Sequence, residues 1–174
     1  SFSKVSAAPV LDRNDVDPIF IASADVRKED DLWRCWYTSN TEWCETPEGP
    51  LPRYHIRYAE SSDGLTWNRD GRVAIDFASE GEYAISRPWV RRKVTGYQMW
   101  YAYRGPAYRI GYAESADGLD WTRMDHLAGI DVSADGFDSQ MVEYAAVIDA
   151  GGRDVMFYNG NEFGYYGIGM AVAE

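Results

Sequence analysis

The chain has 174 residues, 45% of them hydrophobic, which is enough for one domain with a core of its own. Its formal net charge is −11, and a surface of that sign repels phosphate backbones and anionic lipids. We therefore expect neither nucleic acid nor a membrane as a partner. The chain shows no signal peptide and no apolar run long enough to span a bilayer, which favours the cytoplasm without assigning a compartment.

Aromatic residues are the most distinctive part of the composition. The chain contains 7 Trp, 13 Tyr and 6 Phe, together 15% of its residues, beside 16 Gly. Aromatic side chains favour strands and are costly to leave exposed, while glycine supplies the conformations of tight turns. This combination predicts many short strands joined by tight turns.

The predicted strands recur along the chain in one order. An apolar strand comes first, at 22–26, 86–90 and 143–147. A strand ending in two aromatic residues comes next, with these pairs at 36–37, 100–101 and 157–158. A Tyr-x-Ile-x-Tyr-Ala strand follows at 54–59 and 108–113, with a decayed copy at 166–171. An Asp-Gly turn and a last strand opening with Trp67 or Trp121 complete the first two units.

The third strand of the unit carries the strongest repeat signal. Residues 54–67 and 108–121 are identical at ten of fourteen positions. Within the first copy, Tyr54, Ile56 and Tyr58 alternate with polar residues, which is the period of a half-buried strand. The pairs Asp63-Gly64 and Asp117-Gly118 then provide turns, because glycine readily adopts positive φ.

Four short strands in a period of about 50 residues are typical of a β-propeller blade. We therefore predict an all-β fold, a β-propeller of four-stranded antiparallel blades, in a single domain. The three blades are expected at roughly 10–70, 71–130 and 131–174. Closed propellers usually have four or more blades, so exposed blade faces and edges are expected, and a homodimer could cover them.

The two cysteines, Cys35 and Cys44, indicate little about function. Cys35 lies in the apolar run from Trp33 to Tyr37, so we expect a small buried side chain there. No spacing typical of a zinc site is present, and the chain has only two histidines. A disulfide between the two cysteines is the less favoured alternative.

Several segments also carry a family resemblance. They are Ile-Ser-Arg-Pro at 85–88, Met-Trp-Tyr at 99–101, the strand at 108–115, Phe-Asp-Ser at 137–139 and Tyr-Asn-Gly-Asn at 158–161. Together they resemble a poorly characterised bacterial group of five-bladed propellers, of the type found in glycoside hydrolase families 43, 32, 62 and 68. The resemblance covers essentially the whole chain, which would correspond to the last three blades. It implies a carbohydrate ligand and a bacterial protein, for which the sequence without a signal peptide favours the cytoplasm.

Candidate catalytic acids precede the inner strand of each blade. Glycoside hydrolysis needs two carboxylates, one protonated and one ionised. Counting back along the repeat puts Asp17, Gly81 and Asp138 at equivalent positions, with Glu82 next to Gly81. Acids from three blades could therefore converge on one mouth of the propeller, where the resembled families place three acids. We expect Glu82 to donate the proton, Asp138 to act as base or support, and Asp17 to orient them. The alternative is that all three are solvated loop acids in an acidic protein.

One departure from the resembled group bears on activity. After Asp138 and Ser139 the resemblance implies an acidic residue, and this chain has Gln140. If that acid is catalytic in relatives, Gln140 favours a weakened or inactive copy.

Candidate substrate-binding residues lie around the same mouth. Arg87 opens an inner strand, and its rigid guanidinium could hold a carboxylate or sugar hydroxyls, or form an ion pair. Trp43 does not repeat and lies in a predicted loop, so it is a candidate for stacking on a sugar ring. The remaining candidates are Arg104, Arg109, Glu143, Gln140, Asn159 and Asn161. For Asn159 and Asn161 a simple turn is the alternative.

No cofactor or metal is expected. The run from Asp131 to Gly136 is similar to the start of a calcium loop, but the twelfth position is Val142 where an acid is required. A turn between blades is favoured there, and calcium stays the alternative. The chain has no Gly-x-Ser-x-Gly segment, which disfavours a serine hydrolase.

Three functions are therefore open at this point. The first is a glycosidase-like propeller, and the second is a non-catalytic carbohydrate-binding or remnant fragment. The third is a structural unit that associates through exposed blades. The geometry of the acids at the mouth separates the first two, and the mass in solution tests the third.

Overall fold

The computed structural model describes residues 1–47 and 49–173, and nearly all of its regular structure is β-strand. The helical elements described are a short 3-10 helix at Asp125–Leu127 and α1 at Asn161–Gly164, which is an irregular turn because Glu162 and Phe163 have positive φ. In chain order the strands are β1 (Phe20–Glu29), β2 (Leu32–Thr46), β3 (Gly49–Ser61), β4 (Val73–Ile75), β5 (Ala84–Lys93), β6 (Gly96–Arg104), β7 (Tyr108–Ser115), β8 (Thr122–Arg123), β9 (Glu143–Asp149), β10 (Asp154–Asn159) and β11 (Ile168–Val172).

The strands form three antiparallel meanders, which we call blades 1, 2 and 3. Blade 1 contains β1 to β4, blade 2 contains β5 to β8, and blade 3 contains β9 to β11. One parallel pair, Tyr54 with Ala84, joins the first two blades. The prediction of an all-β propeller built from antiparallel blades is confirmed. The fourth strands are short, and blade 3 has three strands among the described residues.

The hydrophobic core lies between the blades. Blades 1 and 2 enclose a cluster that includes Trp36, Ile56, Val90 and Met99. Blades 2 and 3 enclose a second cluster that includes Trp100, Ile110, Val147 and Met156, with Val142 from the segment between the blades. The two residues of each aromatic pair point to opposite faces of the sheet, so Trp100 and Tyr101 of the middle blade each enter one of these clusters. In the outer blades Trp36 and Tyr158 pack between blades, whereas Tyr37 lies in a smaller cluster with Cys35.

The Asp-Gly turn of blade 2 holds the first two blades together. Asp117 accepts hydrogen bonds from the backbone of Leu119 and Asp120, and Gly118 has a φ of 78° that favours glycine. The carbonyl of Gly118 then accepts a hydrogen bond of 2.9 Å from the Trp36 indole of blade 1. This turn is a structural contact between blades.

The cysteines are both free thiols. Cys35 is 1% exposed, so the prediction of a buried side chain is confirmed. The disulfide alternative is wrong, because Cys35 and Cys44 lie in the same strand, β2. A strand rises about 3.3 Å per residue, so nine residues of β2 place them roughly 30 Å apart.

Within residues 1–47 and 49–173, the structure contains no helix with the length and apolar character needed to cross a membrane.

Candidate functional site: the axial mouth

The inner strand of each blade is irregular at one equivalent position. Ser23 in β1, Arg87 in β5 and Tyr144 in β9 have positive φ angles of 36°, 54° and 57°. The pairing of each inner strand with its neighbour shifts register at this point, which marks a β-bulge. Positive φ is uncommon in residues other than glycine, and such strain is concentrated at functional sites. Three bulges therefore point to one functional surface.

The three bulges line a single cavity of about 230 Å³. All three inner strands reach this cavity, so it marks the axis about which the blades are arranged. We call this cavity, together with the first residues of β5 and β9 beside it, the axial mouth. The cavity is lined by Ser23, Ala24, Arg87, Pro88, Trp89, Tyr144, Ala145 and Ala146.

Glu143, the first residue of β9, is the buried acid of the axial mouth. Its side chain has no exposed surface, and neither carboxylate oxygen has a hydrogen-bond partner among the described residues. Burial raises the pKa of Glu143 to about 7, although Tyr144, Arg104 and Arg87 oppose the shift. Glu143 is thus a carboxyl group poised to exchange a proton near neutral pH.

Two arginines and two tyrosines form a continuous strip beside Glu143. The guanidinium of Arg104 lies 5.2 Å from the ring centroid of Tyr108, and the rings of Tyr108 and Tyr144 are 6.1 Å apart. Arg87 lies 4.8 Å from the ring centroid of Tyr144. We call these four residues the arginine–tyrosine strip. Stacking of this kind orders each guanidinium without neutralising its charge.

Tyr144 and the tyrosines near it are not among the site residues predicted from the sequence. Tyr54 and Tyr108 were assigned to the repeated strand alone, yet their hydroxyl groups meet at 2.8 Å across blades 1 and 2. The signal for Tyr144 was available, because it occupies in blade 3 the position that Arg87 occupies in blade 2. The bulge that turns both toward the axis is not visible in the strand pattern.

Asp17 lies on blade 1 with no exposed surface. Its carboxylate accepts hydrogen bonds from the hydroxyl groups of Tyr37 at 2.9 Å and Ser39 at 2.5 Å. It also pairs with Arg57 at 3.3 Å and Arg69 at 2.8 Å. Both oxygens are therefore occupied by contacts that connect the N-terminal segment to β2, β3 and the loop after β3.

Asp138 occupies the corresponding position in blade 3. It is 4% exposed, and its carboxylate accepts a hydrogen bond of 2.7 Å from the Tyr158 hydroxyl of β10. In blade 2 the equivalent tyrosine, Tyr101, donates to Asp125 instead. In each blade the tyrosine of the second strand thus donates a hydrogen bond to an aspartate. Asp17 and Asp138 are the aspartates of blades 1 and 3, and both have this structural contact.

Glu82 precedes β5 and is linked to the aspartate of its blade by an arginine. Arg123 contacts the Glu82 carboxylate at 2.7 and 3.1 Å and the Asp125 carboxylate at 2.6 Å. The backbone amide of Ala78 also donates to Glu82. Unlike Asp17 and Asp138, Glu82 lines a cavity, one of about 340 Å³ that also contains Tyr103 and Arg109.

Three of the predicted substrate-binding residues, Arg109, Gln140 and Asn161, hold one another, and a fourth, Asn159, contacts the turn of α1. Arg109 pairs with Asp131 at 3.0 Å and donates to the carbonyl of Gln140. The side-chain oxygen of Asn161 accepts from the backbone amide of Gln140 at 2.8 Å. Asn159 donates to the carbonyl of Phe163 and thereby supports the turn of α1. These polar groups are engaged in the segment between blades 2 and 3 and in the turn after β10.

Trp43 lies in β2, where the hairpin with β3 extends, and is 51% exposed. It was expected in a loop, and the structure places it opposite Pro52 in the extended hairpin. This hairpin leaves the sheet at the edge where β1 begins, which is the edge of the axial mouth. An exposed indole there is available to a ligand.

Among residues 1–47 and 49–173, no group of three or more His, Cys, Asp or Glu side chains is arranged to hold a metal ion. Asp131, which opens the calcium-like run, pairs with Arg109.

No protein-family model matches the chain. The chain is 41% identical over 174 residues to the uncharacterized protein Rv1502 of Mycobacterium tuberculosis (strain ATCC 25618 / H37Rv). The uncharacterized protein MT1551 of M. tuberculosis (strain CDC 1551 / Oshkosh) matches at the same identity. Each match covers 99% of this chain and 57% of the relative, so the chain spans just over half the length of these relatives.

Solved structures similar to the chain are glycoside hydrolases. One described as "Glycoside hydrolase" matches with a TM-score of 0.72 at 21% identity, covering 95% of this chain and 50% of that protein. Zg3597 of Zobellia galactanivorans, a family 117 glycoside hydrolase, matches with 0.73 at 20%, covering 94% and 55%. The Bombyx mori GH32 β-fructofuranosidase BmSUC1 matches with 0.69 at 15%, covering 87% and 33%. The fold of this chain is that of part of a propeller-type glycoside hydrolase.

Proposed function

We propose that the axial mouth binds a carbohydrate and that Glu143 donates a proton to the leaving oxygen of a glycosidic bond. One observation carries the proposal, namely a fully buried carboxyl that has no hydrogen-bond partner in the described part of the chain and lies beside the point where three strained inner strands meet. The likeness to glycoside hydrolases supports a carbohydrate as the ligand.

The chemistry assigned to Glu143 follows from its surroundings. A general acid works best when its pKa lies near the working pH, because it then holds its proton and still releases it readily. Burial raises the pKa of Glu143 to about 7, whereas an exposed glutamate would be ionised. Raising a carboxyl pKa by enclosure is the means by which glycosidases keep one of two acids protonated.

Hydrolysis also needs a second carboxylate, to act as nucleophile or to activate water. Of the three acids predicted from the sequence, Glu82 is the one that lines a cavity, a different cavity from that of the three bulges, although both of its carboxylate oxygens contact Arg123. Asp17 and Asp138 are engaged with hydroxyl groups inside the blades. We therefore propose Glu82 as the second carboxylate contributed by this chain, held in place by Arg123.

The test is hydrolysis of a panel of aryl glycosides by the wild-type chain and by Glu143→Gln and Glu82→Gln. Loss of a general acid lowers the reaction rate about 10²- to 10⁴-fold, so we expect Glu143→Gln to lower kcat at least a hundredfold. The decrease in kcat should be smaller for an aryl glycoside whose leaving group has a low pKa than for an alkyl glycoside, since such a leaving group needs less protonation. Glu80→Gln, at an exposed position two residues from Glu82, is the matched control and should keep full activity.

Full activity of Glu143→Gln would refute the role of Glu143. Glycan binding without any hydrolysis would favour the second function, a non-catalytic binding unit. That alternative has its own support, because Asp17 and Asp138 are engaged in structural contacts and Gln140 replaces an acid that the resemblance implies. Absence of both binding and hydrolysis would contradict the carbohydrate proposal as a whole.

Association of two copies is supported by a different surface. The outer face of blade 3 exposes Phe157, Ile168, Met170 and Val172 at 40%, 72%, 61% and 42%. An apolar sheet face of this kind is commonly covered by another blade or chain. We propose that a second copy of this chain covers it.

Light scattering checks this association. Wild-type chain is expected at twice the mass of one copy, and Met170→Glu at the mass of a single copy. Val94→Glu, a change at a fully exposed position in the turn between β5 and β6, should leave the dimer intact. A folded wild-type monomer at all concentrations would refute the homodimer.

A further inference from the structure

The two arginines of the arginine–tyrosine strip differ from most others in the chain. Ten of the fourteen arginines form an ion pair with a carboxylate among the described residues. Arg87 and Arg104 form none there, although the chain has 28 acidic residues against 17 basic ones. Arg87 lines the cavity of the three bulges, and Arg104 lies at the other end of the arginine–tyrosine strip beside Glu143. Where carboxylates are in excess, two arginines without one on the same strip indicate a site kept open for an anion.

The nearest carboxyl group does not fill that role. Glu143 lies close enough to influence both arginines electrostatically, yet it makes no hydrogen bond to either. The Nε atom of Arg104 is buried and has no hydrogen-bond partner among the described residues. Even with Glu143 ionised, its single charge leaves one of the two guanidinium groups without a counter-charge.

The tyrosines give these cations a defined direction. Arg104 stacks between Tyr83 and Tyr108, and Arg87 stacks on Tyr144, so both guanidinium planes are fixed by aromatic rings. A planar guanidinium matches a carboxylate with two parallel hydrogen bonds. A tyrosine ring offers an apolar face to the C–H bonds of a sugar. One site thus combines an anion receptor with a stacking surface.

We infer that the axial mouth takes a sugar that carries a carboxylate, a uronic acid residue, held through Arg87 and Arg104 beside the ring of Tyr144. This inference rests on the proposed function and specifies its substrate class. It predicts discrimination between acidic and neutral sugars of otherwise identical shape.

Calorimetric titration of the wild-type chain at pH 6 and low salt tests this directly. The ligands are methyl glucuronide and methyl galacturonide, their neutral counterparts methyl glucoside and methyl galactoside, and glucose 6-phosphate. Because charge-assisted pairs are about twice as strong as neutral ones, we expect the better uronide to bind at least about tenfold more tightly than its neutral counterpart. Added salt should weaken the uronide alone.

Variants then assign the effect to the strip. Arg87→Gln and Arg104→Gln are each expected to weaken uronide binding about tenfold and to leave neutral-sugar binding within twofold. Arg153→Gln removes the same charge at an exposed position in the turn between β9 and β10. It should change neither uronide binding nor neutral-sugar binding. Near-ultraviolet circular dichroism confirms that each variant is folded.

The other outcomes separate this inference from the proposed function. Equal binding of acidic and neutral sugars, with no effect of either arginine, would overturn the uronic acid assignment and leave the carbohydrate proposal standing. Tight binding of the sugar phosphate without the uronides would also overturn it, in favour of a phosphate ligand. Binding of no sugar would overturn both.

Discussion

Replacing Asp17 by asparagine is expected to lower the free energy of unfolding by about 3 kcal/mol, because it removes the counter-charge of two buried arginines. Arg57 and Arg69 both pair with Asp17, and their side chains are only 13% and 9% exposed. An amide has no net charge to balance them. Its NH₂ group would also face the donating hydroxyl groups of Tyr37 and Ser39.

Denaturant unfolding of the wild-type chain and Asp17→Asn measures this effect. Asp15→Asn is the matched control, since Asp15 is exposed two residues earlier and should change stability by less than about 0.5 kcal/mol. Equal stability of the two variants would show that Asp17 is not an anchor of blade 1. Its carboxylate would then be available for the orienting role expected from the sequence.

The second large effect is a dependence of stability on pH caused by Glu143. Its pKa in the folded chain is raised to about 7, against 4.5 for the free side chain. Below pH 4.5 the group is protonated in both the folded and the unfolded chain, so it does not disfavour folding. As the pH rises through 7 the folded chain must hold a buried charge, and the stability is lost. The difference of about 2.5 pH units corresponds to about 3 kcal/mol.

Glu143→Gln removes this titration while keeping the size of the side chain. The stability of Glu143→Gln minus that of the wild-type chain is therefore expected to rise by about 3 kcal/mol between pH 4 and pH 8. Other titrating groups, such as His55 with its lowered pKa, are present in both proteins and cancel in the difference. The measurement is denaturant unfolding of both proteins across this pH range.

Glu80→Gln provides the control here as well. Because the Glu80 carboxyl is exposed, the stability of this variant minus that of the wild-type chain should be nearly constant across the pH range. A constant difference for Glu143→Gln would contradict the burial of an unbonded carboxyl at the axial mouth. A difference that falls with pH would mean that the arginines outweigh burial and hold Glu143 ionised.

Local patterns in the sequence were sufficient for the blades. Tyr54, Ile56 and Tyr58 alternate with polar residues because a strand buries every second side chain, and Tyr108, Ile110 and Tyr112 repeat the pattern. The Asp-Gly pairs end these strands because glycine accepts a positive φ at little cost. Such features depend on near neighbours in the chain, so the repeat alone determined the fold class and the order of strands.

The roles of the acids required the tertiary structure. In the sequence Asp17, Glu82 and Asp138 are three acids that each precede an inner strand, and nothing local shows that Tyr37 and Tyr158 donate hydrogen bonds to two of them. From the sequence Glu143 is only a candidate for substrate binding. That its carboxylate has no hydrogen-bond partner among the described residues depends on the packing of strands from two blades, which no local pattern shows.

The same holds for the arginines. Arg87 and Arg104 resemble the other twelve arginines in the sequence, and only their neighbours in space show that no carboxylate pairs with them among the described residues. Strand period, turns and repeats are short-range properties, so the sequence by itself determined a propeller with three units. Burial, charge pairing and the bulges at Ser23, Arg87 and Tyr144 arise from contacts between blades, so the tertiary structure alone decided where the candidate site lies.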